Sequence, residues 1–157
     1  MHVNDVTDNV LGAAVAVHSE LGPGLLESVY EAVMACVLEK RGLHVRRQQP
    51  IRLRYLGMSL DEAFRPDLII DDRVIVEIKA AARLEPVFTR QLLTYLRLTG
   101  IEVGLVINFG AYSIAGQTRR VVNDYKGDAP GKDPLRSPRL LFPGKSDSHT
   151  PDRRPAS

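Results

Sequence analysis

The segment from residue 67 to residue 79 constrains the fold most, because only one hairpin register collects its apolar side chains on one face. Successive side chains of a strand point to opposite faces, so a slip of one residue would turn the apolar set toward solvent. A three-residue loop at 71–73 gathers Leu68, Ile70, Val74, Val76 and Ile78. The pattern therefore predicts antiparallel strands over 64–70 and 74–79.

The opposite face of this hairpin brings two acidic residues together. Asp67 lies across from Glu77 in the same register, and Lys79 follows on the same face as Glu77. Like charges directly opposite each other repel, so such a pair normally needs a shared proton or a cation. An ion cluster formed by these three residues at the end of a sheet, without a metal, is one interpretation.

The other interpretation is a divalent metal site. Mg²⁺ and Mn²⁺ prefer oxygen ligands, which Asp67, Glu77 and the main-chain carbonyl of Ile78 could supply. Such an ion lowers the pKa of bound water and neutralises charge on a phosphate, and Lys79 would stabilise the transition state electrostatically. This interpretation predicts phosphodiester hydrolysis.

The rest of the chain reads as an α/β domain. Apolar residues at helical spacing predict a first helix with Val6, Val10, Ala13, Val17 and Leu21 buried. After the turn Gly22-Pro23-Gly24, a second helix is expected to bury Leu26, Val29, Val33 and Val37. Further predicted elements are strands at 45–49 and 51–56, a helix at 85–99, and strands at 102–108 and 118–122. The expected fold is a mixed sheet flanked by helices.

Composition separates a folded domain at 1–126 from a tail at 127–157. The tail holds six of the ten prolines among Gly, Ser, Asp and Arg, so we expect it to be disordered. The single cysteine, Cys36, excludes an internal disulfide and a cysteine-based zinc cluster. No apolar run is long enough to cross a membrane and the N-terminus does not resemble a signal peptide, so we expect a cytoplasmic protein without a membrane partner.

Any nucleic-acid footprint must be local, because basic and acidic residues balance over 1–126. The candidate is a group of four arginines within nine positions, namely Arg46, Arg47, Arg52 and Arg54. A strand edge protected from aggregation by charge is the alternative explanation for this group.

Several motifs together resemble a known family. Gly24-Leu25-Leu26-Glu27-Ser28-Val29-Tyr30 matches the G-x-x-E-x-x-Y signature of the GxxExxY proteins, which are members of the PD-(D/E)XK nuclease superfamily. The similarity continues through the segments at 64–67, 76–80, 91–96 and 104–110, in the right order over roughly residues 5 to 123. The tail lies outside it.

This resemblance implies a restriction-endonuclease-like fold and a Mg²⁺- or Mn²⁺-dependent nuclease. The expected partner is nucleic acid, with DNA preferred over RNA. Asp67 matches the metal-binding aspartate, and Glu77 and Lys79 match the E-x-K pair. Glu27 matches the glutamate that an early helix contributes to the metal or its water shell. Gln91 and Tyr95 match a Q-x-x-x-Y element, and their spacing places them on one helix face.

Each of these assignments has an ordinary structural alternative. Glu27 could only stabilise the first turn of its helix, Tyr95 could pack in the core, and Gln91 could be an exposed helix residue. The whole domain could also be a non-catalytic module that binds nucleic acid or protein on a nuclease fold, since fold does not fix function. A homodimer is compatible with either function.

Overall fold

The computed structural model describes residues 1–124 and the main chain of residues 139–141. In chain order the helices are α1 (Val3–Leu21), α2 (Glu27–Lys40) and α3 (Pro86–Thr99). The strands are β1 (Val45–Arg47), β2 (Ile51–Tyr55), β3 (Met58–Phe64), β4 (Leu68–Ile70), β5 (Val74–Lys79), β6 (Val103–Asn108), β7 (Thr118–Val122) and β8 (Arg139–Leu141).

A mixed five-stranded sheet forms the centre of the domain, in the order β1-β4-β5-β6-β7. β5 and β6 are parallel and are joined through α3, whereas the other neighbouring strands are antiparallel. Because helices cover both faces, every residue of β6 is buried, as predicted for a covered strand. The expected α/β architecture, with two N-terminal helices and a mixed sheet, is confirmed.

Two apolar clusters fix how the helices cover this sheet. α1 and α2 pack on the face that carries Leu68, Val76 and Ile78, which is the apolar face predicted for the hairpin. α3 packs on the opposite face, where Leu92 and Leu96 belong to the same cluster as Ile69 and Ile75. Asp67 lies two positions before Ile69, and Glu77 and Lys79 lie two and four positions after Ile75, so all three belong to the face that α3 covers.

The predicted buried face of α2 is wrong. The helix buries Tyr30, Glu31, Met34, Ala35 and Leu38, whereas Leu26 and Val29 are exposed and Val33 and Val37 are only partly buried. Apolar residues occur all around this helix, so their spacing does not select one side. Tyr30 does: its ring stacks on Phe109 at 4.6 Å between centroids, and its hydroxyl donates a hydrogen bond to the carbonyl of Gly22. Leu21, at the end of α1, is also exposed rather than buried.

The sequence analysis also missed β3. This strand is exposed along nearly its whole length and pairs with β2 across a turn in which Leu56 and Gly57 both have positive φ. An exposed strand of mixed polar and apolar residues after a leucine in the left-handed region gives neither a clear alternation nor a typical turn signal. The strand predicted at 64–70 is in fact the last residue of β3 followed by β4, with Arg65, Pro66 and Asp67 between them.

The predicted disordered tail at 127–157 lies outside the described residues, except for β8. The main chain of β8 pairs antiparallel with Arg52, Leu53 and Arg54 of β2, which gives a second sheet in the order β3-β2-β8. Within the part of the chain that the structure describes, no helix is both long and apolar enough to cross a membrane.

Candidate active site

The hairpin between β4 and β5 has the register that the apolar pattern predicts. Ile70 pairs with Val74 and Leu68 with Val76. The next residues along the two sides of the hairpin are Asp67 and Glu77, which therefore lie opposite each other. The Asp67 amide donates a hydrogen bond to Glu77 Oε1 at 3.2 Å, and the Ile78 amide donates one to Asp67 Oδ2 at 2.8 Å. Each carboxylate therefore accepts a hydrogen bond from a main-chain amide of the segment that carries the other acid.

The surroundings of these two carboxyl groups disfavour their ionised forms. Glu77 is only 5% exposed, and burial together with the charge of Asp67 raises its pKa from 4.5 to about 8. Burial also raises the pKa of Asp67, although the hydrogen bond from the Ile78 amide acts in the opposite direction. A bound cation would stabilise the ionised forms of this half-buried and this buried acid.

Lys79 lies close enough to lower the pKa of both acids by its charge. Its ammonium Nζ, however, is 4.9 Å from the centroid of the Phe88 ring, in a cation–π contact. Among residues 1–124, the ion pairs do not join Lys79 to either carboxylate. Within residues 1–124, Asp67, Glu77 and Lys79 therefore do not form a closed, fully paired ion cluster.

Glu27 reaches the same end of the sheet from the first residue of α2. Its Oε1 accepts a hydrogen bond from the Ala80 amide at 3.3 Å, directly after β5 ends at Lys79. Its charge contributes to the raised pKa of Glu77. Although Glu27 also has the favourable first-turn position, the structure brings it to the site that the sequence predicts.

On α3, Tyr95 lies near enough to both carboxylates for their charges to act on it, and the exposed Gln91 contacts Tyr95. The Gln91 side chain donates a hydrogen bond to the Tyr95 hydroxyl at 3.0 Å. The Tyr95 ring stacks on Phe64 at 4.2 Å between centroids. Burial raises the pKa of Tyr95, and the charges of Glu77 and Asp67 raise it further. The phenol therefore interacts electrostatically with both acids.

The sequence analysis does not predict two residues that are linked to Asp67. Gln48 contacts Asp67 directly, and Glu31 is linked to it through Gln48. The Gln48 side-chain amide donates to Asp67 Oδ1 at 3.0 Å and to Glu31 Oε2 at 2.8 Å. Glu31 is 6% exposed and also accepts a hydrogen bond from Arg47 Nε at 3.2 Å. Its position four residues after Glu27, on the same helix face, was a usable signal; its partner Gln48 was not predictable from local sequence.

Asn108, at the end of β6, was missed as well. This fully buried side chain accepts hydrogen bonds from the amides of Ala81 and Gly110 and donates to the Ala81 carbonyl and to Gln117. A Cβ at Gly110 would lie 2.2 Å from the Ala81 oxygen, so only glycine permits this approach. Asn108 therefore fixes the main chain that follows Lys79. An isolated polar residue at the end of an apolar strand was its only signal.

The arginine group is largely paired within the protein. Arg46 forms an ion pair with Asp72, and Arg52 forms one with Asp61 at 3.0 Å. Arg47 contacts Glu31 and so belongs to the network around Asp67. β1 and β2 lie in different sheets, so the four arginines do not line one strand edge.

The donor set suits a hard divalent cation in its chemistry. Asp67, Glu77 and the main-chain carbonyl of Ile78 offer oxygen ligands, and Glu27 adds a carboxylate at the edge of the site. Within the described residues, no group of three or more His, Cys, Asp or Glu side chains is already arranged to hold a metal ion. The residues fit the ion through their oxygen donors and their unbalanced charge.

Comparison with known proteins agrees with this geometry. A family model described as the PD-(D/E)XK nuclease superfamily matches residues 4–121, which include both carboxylates, Lys79, Glu27, Gln91 and Tyr95. Comparisons with curated proteins and with solved structures give no match. Since the match covers most of the chain, the protein belongs to the PD-(D/E)XK nuclease superfamily.

Proposed function

We propose that this protein is a metal-dependent nuclease of the GxxExxY type that hydrolyses phosphodiester bonds of DNA. The observation that carries the proposal is the adjacent pair of half-buried Asp67 and buried Glu77, with raised pKa values and no ion pair to the neighbouring Lys79 within residues 1–124. A pair of acids whose ionised forms are disfavoured, in a chain of a nuclease superfamily, is suited to Mg²⁺ or Mn²⁺ and an anionic phosphate.

Each residue has a defined part in this proposal. Asp67, Glu77 and the Ile78 carbonyl would hold the ion, with Glu27 as a ligand or a hydrogen-bond acceptor for its water shell. When bound, the ion supplies Lewis-acid chemistry and a water of lowered pKa. Lys79 would place its ammonium against the negative charge that develops on the phosphate during attack by water.

The residues of α3 would support the substrate rather than the ion. Lys79 lies on the ring of Phe88 instead of on a carboxylate, so its charge is available to a phosphate oxygen. The Tyr95 hydroxyl, which accepts a hydrogen bond from Gln91, can donate its proton to the scissile strand. We assign Gln91 to holding Tyr95 in that orientation.

A second candidate function is a non-catalytic module that binds nucleic acid or protein. One observation favours it: both oxygens of Asp67 already accept hydrogen bonds, from Gln48 and from the Ile78 amide. Such an acid could be a structural anchor. The two candidates differ in whether Asp67 is needed for turnover.

The test is a cleavage panel of single- and double-stranded DNA and RNA with Mg²⁺, with Mn²⁺ and with EDTA. We expect metal-dependent cleavage of DNA that Asp67→Asn, Glu77→Gln and Lys79→Gln each abolish. Asp8→Asn and Lys40→Gln are matched controls, because these two exposed helix residues lie outside the site. Cleavage that survives the Asp67 and Lys79 substitutions would assign the activity elsewhere, and absence of cleavage under every condition would favour the binding module.

A further inference from the structure

We infer that Gln48 and Glu31 form a positioning pair that sets the orientation of the Asp67 carboxylate. The functional consequence of this pairing rests on the proposed nuclease site, whereas the orientation itself is a property of the metal-free protein. Neither residue is part of the motifs that identify the family. The inference depends on one hydrogen-bond chain from α2 through Gln48 to Asp67.

Gln48 holds Asp67 at two points. Its side-chain amide donates to Asp67 Oδ1 at 3.0 Å, and its main-chain amide donates to the Asp67 carbonyl at 3.0 Å. The other oxygen, Oδ2, accepts from the Ile78 amide at 2.8 Å. Separate donors at its two oxygens fix the orientation of this carboxylate. One of these donors is the Ile78 main chain, and the other is the Gln48 side chain.

Glu31 in turn fixes the amide of Gln48. The nitrogen Nε2 carries two hydrogens, and Glu31 Oε2 and Asp67 Oδ1 accept one each. Glu31 is 6% exposed and is held by Arg47 through its other oxygen, so it cannot move freely. A buried carboxylate near a second acid is unfavourable unless hydrogen bonds and an opposite charge compensate it, and Gln48 and Arg47 supply these to Glu31.

The main chain at Gln48 is unusual as well. Its φ is +47°, in the left-handed region that residues other than glycine and asparagine seldom adopt. This conformation comes directly after β1 and allows the main-chain and side-chain amides of one residue to face Asp67 together. Local strain of this kind persists where the surrounding contacts require it.

Two side chains of α2 are therefore linked to the site, one through the main chain after β5 and one through Gln48. Glu27 accepts from the Ala80 amide behind Lys79, and Glu31, one turn later, acts through Gln48 on Asp67. The signature glutamate and the positioning pair therefore share one rigid helix. Partners that orient a metal ligand typically change metal affinity or activity about 10–100-fold when they are lost.

The experiment compares Gln48→Leu with Gln49→Leu. Gln49 is equally half-buried, but its amide donates only to the carbonyl of the adjacent Pro50, at 3.4 Å. Gln48→Asn is a second variant that tolerates the left-handed conformation but has a shorter side chain. Glu31→Gln keeps the acceptor for Gln48, whereas Glu31→Met removes it.

The first readout needs neither metal nor substrate: hydrogen exchange and the proton chemical shift of the Ile78 amide, which donates to Asp67. We expect faster exchange and a shifted resonance in both Gln48 variants and in Glu31→Met, with little change in Gln49→Leu and Glu31→Gln. The second readout is Mn²⁺ affinity by calorimetry, which should weaken about 10–100-fold in the same variants.

The outcomes separate this inference from the proposed function. An unchanged Ile78 amide in both Gln48 variants would overturn the positioning role, whether or not the protein cleaves DNA. A changed amide in a protein that neither binds Mn²⁺ nor cleaves DNA would support the positioning role and contradict the nuclease. If Gln48→Leu does not fold, Gln48→Asn decides.

Discussion

Replacing Glu77 with glutamine should stabilise the metal-free protein above neutral pH. Glutamine is nearly isosteric, and its Oε1 can still accept the hydrogen bond from the Asp67 amide at 3.2 Å. What disappears is the ionisation of a buried acid. Burial and the charge of Asp67 raise the pKa of Glu77 from 4.5 to about 8 in the folded state.

The sign and size of the effect follow from proton linkage. Between pH 4.5 and pH 8 the unfolded chain has released the Glu77 proton and the folded protein retains it, so stability falls as pH rises. Each unit between the two pKa values corresponds to about 1.4 kcal/mol, so the loss reaches a few kcal/mol by pH 8. Below the unfolded pKa the acid is protonated in both states and this penalty is absent.

The assay is urea denaturation in EDTA at several pH values from about 4.5 to 8.5, a range that spans both pKa values. Glu77→Gln and the wild-type protein should have similar unfolding free energies at the acidic end, and the variant should gain steadily toward the alkaline end. The exposed Glu102→Gln should differ from wild type by no more than about 0.5 kcal/mol throughout. Parallel pH profiles for wild type and Glu77→Gln would refute the burial argument.

Three further results are expected. Asn108→Ala should lower the unfolding free energy by about 1–3 kcal/mol for each buried group left unpaired, as measured by denaturation, because it removes the contacts that fix Ala81. Tyr95→Phe keeps the ring stack on Phe64 and should leave the melting temperature nearly unchanged, while DNA cleavage slows. Mg²⁺ at about a hundred times its Kd should stabilise the wild-type protein by about 2.7 kcal/mol in thermal unfolding but should not stabilise Asp67→Asn.

The parts of the fold that sequence predicts well are those in which one side of an element is strictly apolar. The hairpin of β4 and β5 has one such register, and the structure adopts it. The helix predicted at 85–99 agrees with α3 to within one residue at its start, and α3 ends before Gly100, which has the left-handed conformation typical of a helix C-terminus. The pairing of Asp67 with Glu77 follows from the same register.

The parts that failed depend on contacts between distant segments. α2 carries apolar residues on all sides, and its orientation is decided by the stack of Tyr30 on Phe109. The link from Glu31 to Asp67 passes through Gln48, which lies 17 positions from one and 19 from the other. Local periodicity contains no information about such a link.

The central claim is that Asp67 and Glu77 share one divalent cation, and Mn²⁺ titration followed by calorimetry tests it most directly. We predict saturable binding at one site in the wild-type protein, lost in Asp67→Asn and in Glu77→Gln and retained in Asp8→Asn. Binding that persists in both site variants, or no binding by the folded wild-type protein, would contradict the claim.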